Sequence, residues 1–388
     1  MNILIISSEQ FVLCSSLVCF KMFFKVFLLS TLITTLNGCK WSPTTVSGSK
    51  RPGNICSGQL IFEDNFDSFD LSKWQHEETL AGGGNWEFQW YVNSRDSSFA
   101  KNGNLHIKPR LTSDYHGEAY LTSAYVVIPA NVCTNSEFYG CDRQGSPDYP
   151  INPIRSARIR TIDSFSFKYG TVEVRAKLPA GDWLWPAIWM LPTRNIYGGW
   201  PRSGEIDLVE SRGNRKLFSG NKNVGVEQFG STMHFGPRWD INGWQTAHYD
   251  RNRQPGYNQD FHTYKMVWTQ NKIEFSVDNS VIGTVKAENG FWNRGNFGSS
   301  GLPNPWAGAT NMAPFDQEFH LIINLAVGGV NYFADSFRNE GASKPWSNTS
   351  PNAIRDFWRG KNEWLPTWNY NSNDDANLQV DYVRVWAL

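Results

Sequence analysis

The sequence carries no surplus of charge of either sign. Its 36 Lys and Arg meet 36 Asp and Glu over 388 residues, so the formal net charge at pH 7 is zero. A nucleic-acid binder must replace phosphate counterions with a basic surface, and nothing here supplies one. Cysteine is scarce, six in all, with no CxxC and no histidine-rich neighbour, which argues against a thiolate zinc site. Charged residues at 19% and apolar residues at 40% exclude a disordered tail and leave ample material for a core. After residue 38 no apolar run approaches the roughly 18 residues that a membrane helix needs. Sustained helical periodicity is missing too; only 352–359 reads as a short helical turn.

What is abundant is aromatic. The chain holds 18 Trp, 14 Tyr and 25 Phe, beside 33 Gly and 19 Pro. Flat rings with many turn-formers suggest a β-rich protein that stacks aromatics against a ligand, for which sugars are the natural candidate. Short strand-like segments follow one another, at 60–62, 103–108, 170–178, 263–268, 272–277, 319–325 and 378–386. In the segment 170–178, Val172, Val174 and Ala176 alternate with Glu173, Arg175 and Lys177, the period of a strand with one buried face. There is no internal repeat and no sign of a second domain. Many short strands over some 330 residues predict one large β-sandwich or jelly roll.

The first 38 residues differ from the rest. From Met22 a positive region ending at Lys25 leads into the apolar run Val26 to Leu36, closing at Asn37-Gly38. That is the pattern of a secretory signal peptide, with residues 1–21 as an upstream extension. A signal anchor from Phe11 to Leu36 is the competing reading, and it would bury Lys21 and Lys25 in hydrocarbon. Residues 39–55, rich in Ser, Thr, Pro and Gly, read as an arm, and 56–388 as the folded domain. Removing the leader leaves Cys39, Cys56, Cys133 and Cys141, an even number suited to the oxidising conditions outside the cell. Cys133 and Cys141 bracket a short polar loop and are expected to pair; Cys39 with Cys56 follows by elimination, although four cysteines allow three connectivities. A sequon stands at Asn348-Thr349-Ser350, followed by Pro351.

The chemistry is concentrated in Ser203-Gly-Glu205-Ile-Asp207-Leu-Val-Glu210-Ser-Arg-Gly213. Three carboxylates this close on an apolar strand repel one another and cost desolvation. In a regular strand Glu205 and Asp207 share a face and Glu210 points the other way. One β-bulge between Asp207 and Glu210 would bring all three to one face, with the outer Cα atoms ~13 Å apart. Two glutamates leaning together could then approach the ~5–5.5 Å carboxyl separation used in retaining glycoside cleavage. An isolated ExDxxE is more often a solvated strand face. Here a tryptophan run, Trp183-Leu-Trp185-Pro-Ala-Ile-Trp189, precedes it, Trp200 stands just upstream, and Ser231-Thr-Met-His234 follows.

Glu205-Ile-Asp207-Leu-Val-Glu210 resembles the signature of glycoside hydrolase family 16 in its bulged laminarinase form. Gly170-Thr-Val-Glu-Val-Arg-Ala176, Trp185-Pro-Ala-Ile-Trp189, Phe261-His-Thr-Tyr-Lys-Met-Val-Trp268 and Val380-Asp-Tyr-Val-Arg-Val-Trp386 agree in order, so the resemblance covers about residues 56–388. Within the family the chain looks most like animal endo-1,3-β-glucanases and the related β-glucan recognition, or Gram-negative-binding, proteins. The resemblance implies an all-β, concanavalin A-like jelly roll with a concave substrate groove. It implies Glu205 as nucleophile, ionised at rest, Glu210 as general acid and base, and Asp207 as the assisting residue.

Trp185, Trp189 and Trp200 would then stack sugars, and His234 would lie in the groove near the acids or serve as a structural histidine. Asn93 and Arg95 match a loop that contacts sugar hydroxyls in relatives. Glu63, Gly103 and Asp381 match a structural calcium site, or are ordinary surface acids; catalysis itself would need no cofactor. The expected protein is a secreted, monomeric retaining endo-1,3-β-glucanase that binds β-1,3-glucan and neither nucleic acid nor membrane once its signal is removed. The alternative is a non-catalytic β-1,3-glucan recognition protein of innate immunity. Recognition relatives have typically replaced the motif's glutamates, whereas both stand here.

Overall fold

The computed structural model describes residues 38–388; the expected signal peptide lies outside the described residues. Two antiparallel sheets dominate. The first runs Thr45–Ser47, Ser166–Lys168, Phe319–Val327, Leu184–Pro192, Glu205–Ser211, Gln228–His234, His248–Asn252, with Arg158–Arg160 and then Gln75–His76 joined beside Phe319–Val327. The second runs Ser280–Lys286, Lys272–Val277, His262–Trp268, Gly170–Lys177, Leu378–Trp386, Asn104–Ile107, Ser98–Lys101. Leu60–Asp64 also pairs with Leu378–Trp386, so this last strand in sequence has three partners.

The second sheet obeys the expected alternation. Gly170–Lys177 and His262–Trp268 bury every other residue, and Val172, Val174, Tyr264, Met266 and Val383 face inward. Against them pack Ile188, Met190, Ile206, Phe229, Met233 and Ile323 of the first sheet, forming one core between the layers. The central strands of the first sheet are buried on both faces, Phe319–Val327 at every residue, while the edge strands Thr45–Ser47 and His248–Asn252 stay partly exposed. The architecture is the expected all-β jelly roll. The short helix expected at 352–359 forms over Ala353–Arg359, with Asn352 at its N-terminal boundary and no side-chain cap.

Two local features differ from the sequence reading. The segment expected as an arm contributes an edge strand, with Thr45 opposite Lys168 and Ser47 opposite Ser166. Val46 packs on the core, and the Ser47 hydroxyl donates to Glu318, which together hold it in place. Residues 112–151 form a small excursion with two short helices, Ser113–His116 and Glu118–Ser123, and a hairpin, Tyr125–Val127 with Asp142–Gln144. The expected Cys133–Cys141 disulfide closes its tip. Cys39 and Cys56 are also disulfide-bonded. Among the described residues no helix is long and apolar enough to cross a membrane.

Candidate active site

The strand Glu205–Ser211 lies in the middle of the first sheet, between Leu184–Pro192 and Gln228–His234. Gly204 feeds it from a left-handed backbone, where a Cβ would press on the Phe315 ring. Its register contains the expected bulge. Asp207 faces Thr232 and Glu210 faces Gly230, so Leu208 and Val209 together oppose the single residue Ser231, whose hydroxyl donates to the Leu208 carbonyl at 2.7 Å. Ile206, Leu208 and Val209 are buried in the core, leaving Glu205, Asp207 and Glu210 on the outer side.

Each glutamate accepts an indole N–H. Trp200 donates to Glu205 at 2.9 Å, and Trp185 donates to Glu210 at 3.0 Å. His234 stands opposite Glu205 in the register, its Nε2 3.3 Å from Asp207 Oδ2 and 3.9 Å from Glu205 Oε1. Asn242 fixes the tautomer. Its amide oxygen accepts the backbone N–H groups of Phe235 and Trp244, so its NH2 must point at His234 Nδ1, 2.9 Å away. With Nδ1 accepting, the ring proton sits on Nε2, aimed at the two acids.

Charge is arranged differently from the expectation of a freely ionised Glu205. Burial, then the Asp207 carboxylate, pushes the Glu205 carboxyl up to about 8, against the pull of His234 and Trp200. Burial and Glu210 push Asp207, only 2% exposed, well above the usual range as well, while a hydrogen bond with Glu205 opposes the shift. Both carboxyl groups are therefore held above the usual carboxylate range, each disfavouring a second buried charge beside the first.

The tryptophans divide into different roles. Trp200 is 44% exposed and offers an open ring beside the acids. Trp185, expected to be a stacking platform, is instead 8% exposed because Tyr332 covers it, ring on ring at 4.0 Å, with the Arg212 guanidinium stacked behind at 3.9 Å. Its contribution is the N–H to Glu210. Trp189 is partly open, with Arg158 over one face and its N–H on Asn324. Trp183 is core, against Phe333 and Trp346. A cavity of about 290 Å³ opens beside Glu210, lined by Arg212, Gly230, His248 and Asp250 among others.

Asn93 and Arg95 lie apart from the acids, at the rim beyond Gln75–His76, four strands along the sheet from Glu205–Ser211. There Arg95 bonds Asn93 at 2.6 Å and His76 at 3.0 Å. Of the candidate calcium residues, Glu63 is paired with Arg384 at 2.8 Å and Asp381 with Arg175. Two carboxylates already balanced by two guanidinium groups do not fit a cation. Sequence reasoning passed over Asn242, Tyr332 and Arg212; of these only Arg212, two residues after Glu210, was marked by its place beside the motif.

A family model described as glycosyl hydrolases family 16 matches residues 142–299. The β-1,3-glucan-binding protein of Penaeus monodon is 48% identical over 338 residues, covering 85% of this chain and 90% of that protein. The chain belongs to glycosyl hydrolases family 16. Gram-negative bacteria-binding protein 1 of Drosophila melanogaster is 32% identical, over 86% of this chain and 65% of that protein. Among solved structures the laminarinase from Rhodothermus marinus superposes with a TM-score of 0.52 at 26% identity, covering 85% of this chain and 98% of that one. In this family-16 chain both glutamates of the motif are present, on one face of one strand.

Proposed function

We propose that the protein is a secreted retaining endo-1,3-β-glucanase. The observation that carries this reading is the bulge: it leaves Glu205 and Glu210 on the same face, each with an indole donor, beside an open tryptophan and a cavity. In the first step the Glu205 carboxylate attacks the anomeric carbon, the bond to the departing sugar oxygen breaks, and Glu210 gives that oxygen its proton. In the second step the Glu210 carboxylate takes a proton from water, and the water oxygen attacks the anomeric carbon and displaces Glu205. Two inversions give net retention. Asp207, itself raised above the usual range, can carry a proton and donate it toward Glu205, which supports Glu205 as the attacking anion and as the departing carboxylate. The cavity beside Glu210 gives the leaving sugar a place. Disulfide-bonded cysteines fit work outside the cell.

The names of the curated relatives favour a second reading, glucan binding without cleavage. Incubation with laminarin and with a mixed-linkage glucan separates the two. Early release of mixed oligosaccharides from laminarin, reduced about 10²–10⁴-fold by Glu210→Gln and abolished by Glu205→Gln, is the expected result. Laminarin binding with no reducing ends released would reject hydrolysis and assign recognition.

A further inference from the structure

We propose a second carbohydrate site, outside the catalytic groove, where the disulfide-closed excursion 112–151 meets the loops at 82–88 and 348–354. These segments line a cleft of about 820 Å³. Trp86, Tyr125, Tyr139 and Tyr149 border it and are between 48% and 70% exposed. Leaving four large rings in water forfeits hydrophobic stabilisation that burial or polar replacement would recover. Two of them are also held against backbone preference: Trp86 and Tyr139 have φ of 52° and 60°, and Phe138, with φ 52°, packs edge-on against Trp86. Left-handed backbone at bulky residues costs free energy and gathers at functional positions.

Rings alone would suit any apolar ligand, and two further observations favour a sugar polymer. Asp142 and Gln144 stand exposed on the cleft wall, and Asp142 already accepts from the Tyr125 hydroxyl at 3.1 Å. Flat apolar surface edged by carboxylate and amide groups matches a pyranose, whose ring faces are apolar and whose rim is hydroxyl. The cleft is also joined to the groove. One loop spans both: Val330 lines the cleft and donates its backbone N–H to the Asn85 carbonyl, while Tyr332 covers Trp185, the donor to Glu210. Gly328 anchors this loop with φ 67°, where a Cβ would collide with the Phe88 ring. Trp86, Tyr125 and Tyr139 precede the residues that the family model matches. The occupant is a further stretch of the same β-1,3-glucan that enters the groove, so the inference rests on the glucan reading above. Two sites on one polymer raise affinity through effective concentration without changing either site.

The test uses the secreted protein carrying Glu205→Gln, so that glucan is not consumed, with and without Tyr125→Ala and Tyr139→Ala. Co-sedimentation with insoluble linear β-1,3-glucan should weaken about tenfold in the alanine variant. Calorimetric affinity for a short β-1,3-linked oligosaccharide should not change, and Tyr125→Phe with Tyr139→Phe, which keeps both rings, should bind polymer like the parent. Equal polymer affinity in the alanine variant and the parent overturns the second site. So does loss of oligosaccharide affinity in the alanine variant, or equal loss in the phenylalanine variant. A parent that binds neither polymer nor oligosaccharide rejects the glucan reading itself, and the second site with it.

Discussion

At the scale of residues, the site is governed by two neighbouring buried carboxyl groups, both raised above their usual range. The Glu205 carboxyl is raised from its ordinary 4.5 to about 8, so near neutrality the folded protein keeps a proton that the unfolded chain releases. The sign follows: stability is full below the ordinary carboxyl range and declines as pH rises toward 8. Asp207→Asn removes one of the two competing acids. The variant should therefore lose less thermal stability than the parent between about pH 4.5 and 8, which melting curves across that range would show. Its residual kcat/KM should have an acid limb at lower pH, because Glu205 no longer ionises beside a carboxylate. An acid limb that stays in place would reject the coupling. Glu205, Asp207, Glu210 and His234 were legible in the sequence because their relation is set within neighbouring strands. The role of Trp185 was not. Tyr332 covers it, and that contact joins segments far apart in the chain that only the fold brings together.

Elements carry the next level of control, and here parity decides. With Leu208 and Val209 opposing Ser231, the bulge adds one residue and turns Glu210 to the side of Glu205. Deleting Leu208 would leave a regular strand on which the three acids still share a face, whereas inserting Ala between Glu205 and Ile206 would put an odd step between Glu205 and Asp207 and turn Glu205 away from the other two. The deletion is expected to keep measurable hydrolysis with a lower melting temperature, since a buried leucine is lost at about 2–5 kcal/mol. The insertion is expected to abolish hydrolysis in protein that retains its β-sheet circular dichroism. Activity in the insertion variant would refute the parity argument. Six of the eight strands of the second sheet were readable to within a residue or two, because one face meets the core and the other water, as in Gly170–Lys177; Ser98–Lys101 and Ser280–Lys286 were passed over. The edge strand Thr45–Ser47 and the helices of the excursion were not readable either. Elements of three to six residues carry no clear period, and their conformation is set by what they pack against.

For the molecule as a whole, the jelly roll and its groove were foreseeable from strand number and motif, while the rim was not, because it is built from loops at 82–88, 112–151 and 348–354 that meet only in the fold. The Cys133–Cys141 bridge closes a loop of sequence separation 8 within that rim. Such a link restrains the unfolded loop by about 2–3 kcal/mol in the chain-entropy account. Replacing both cysteines with serine should lower the melting temperature and weaken polymer binding, and should leave cleavage of a short oligosaccharide near the parent rate. A matching fall in oligosaccharide cleavage would show that the rim and groove are one cooperative part. The position of Leu378–Trp386 has a consequence for biosynthesis. This strand takes its place among three partners that are made long before it, two of them within the first 110 residues. At ~5–20 residues per second, those earlier strands wait on the order of tens of seconds with unpaired edges. Until the last residues emerge the sheet cannot close, so the nascent chain depends on helpers that keep its open edges from pairing with one another.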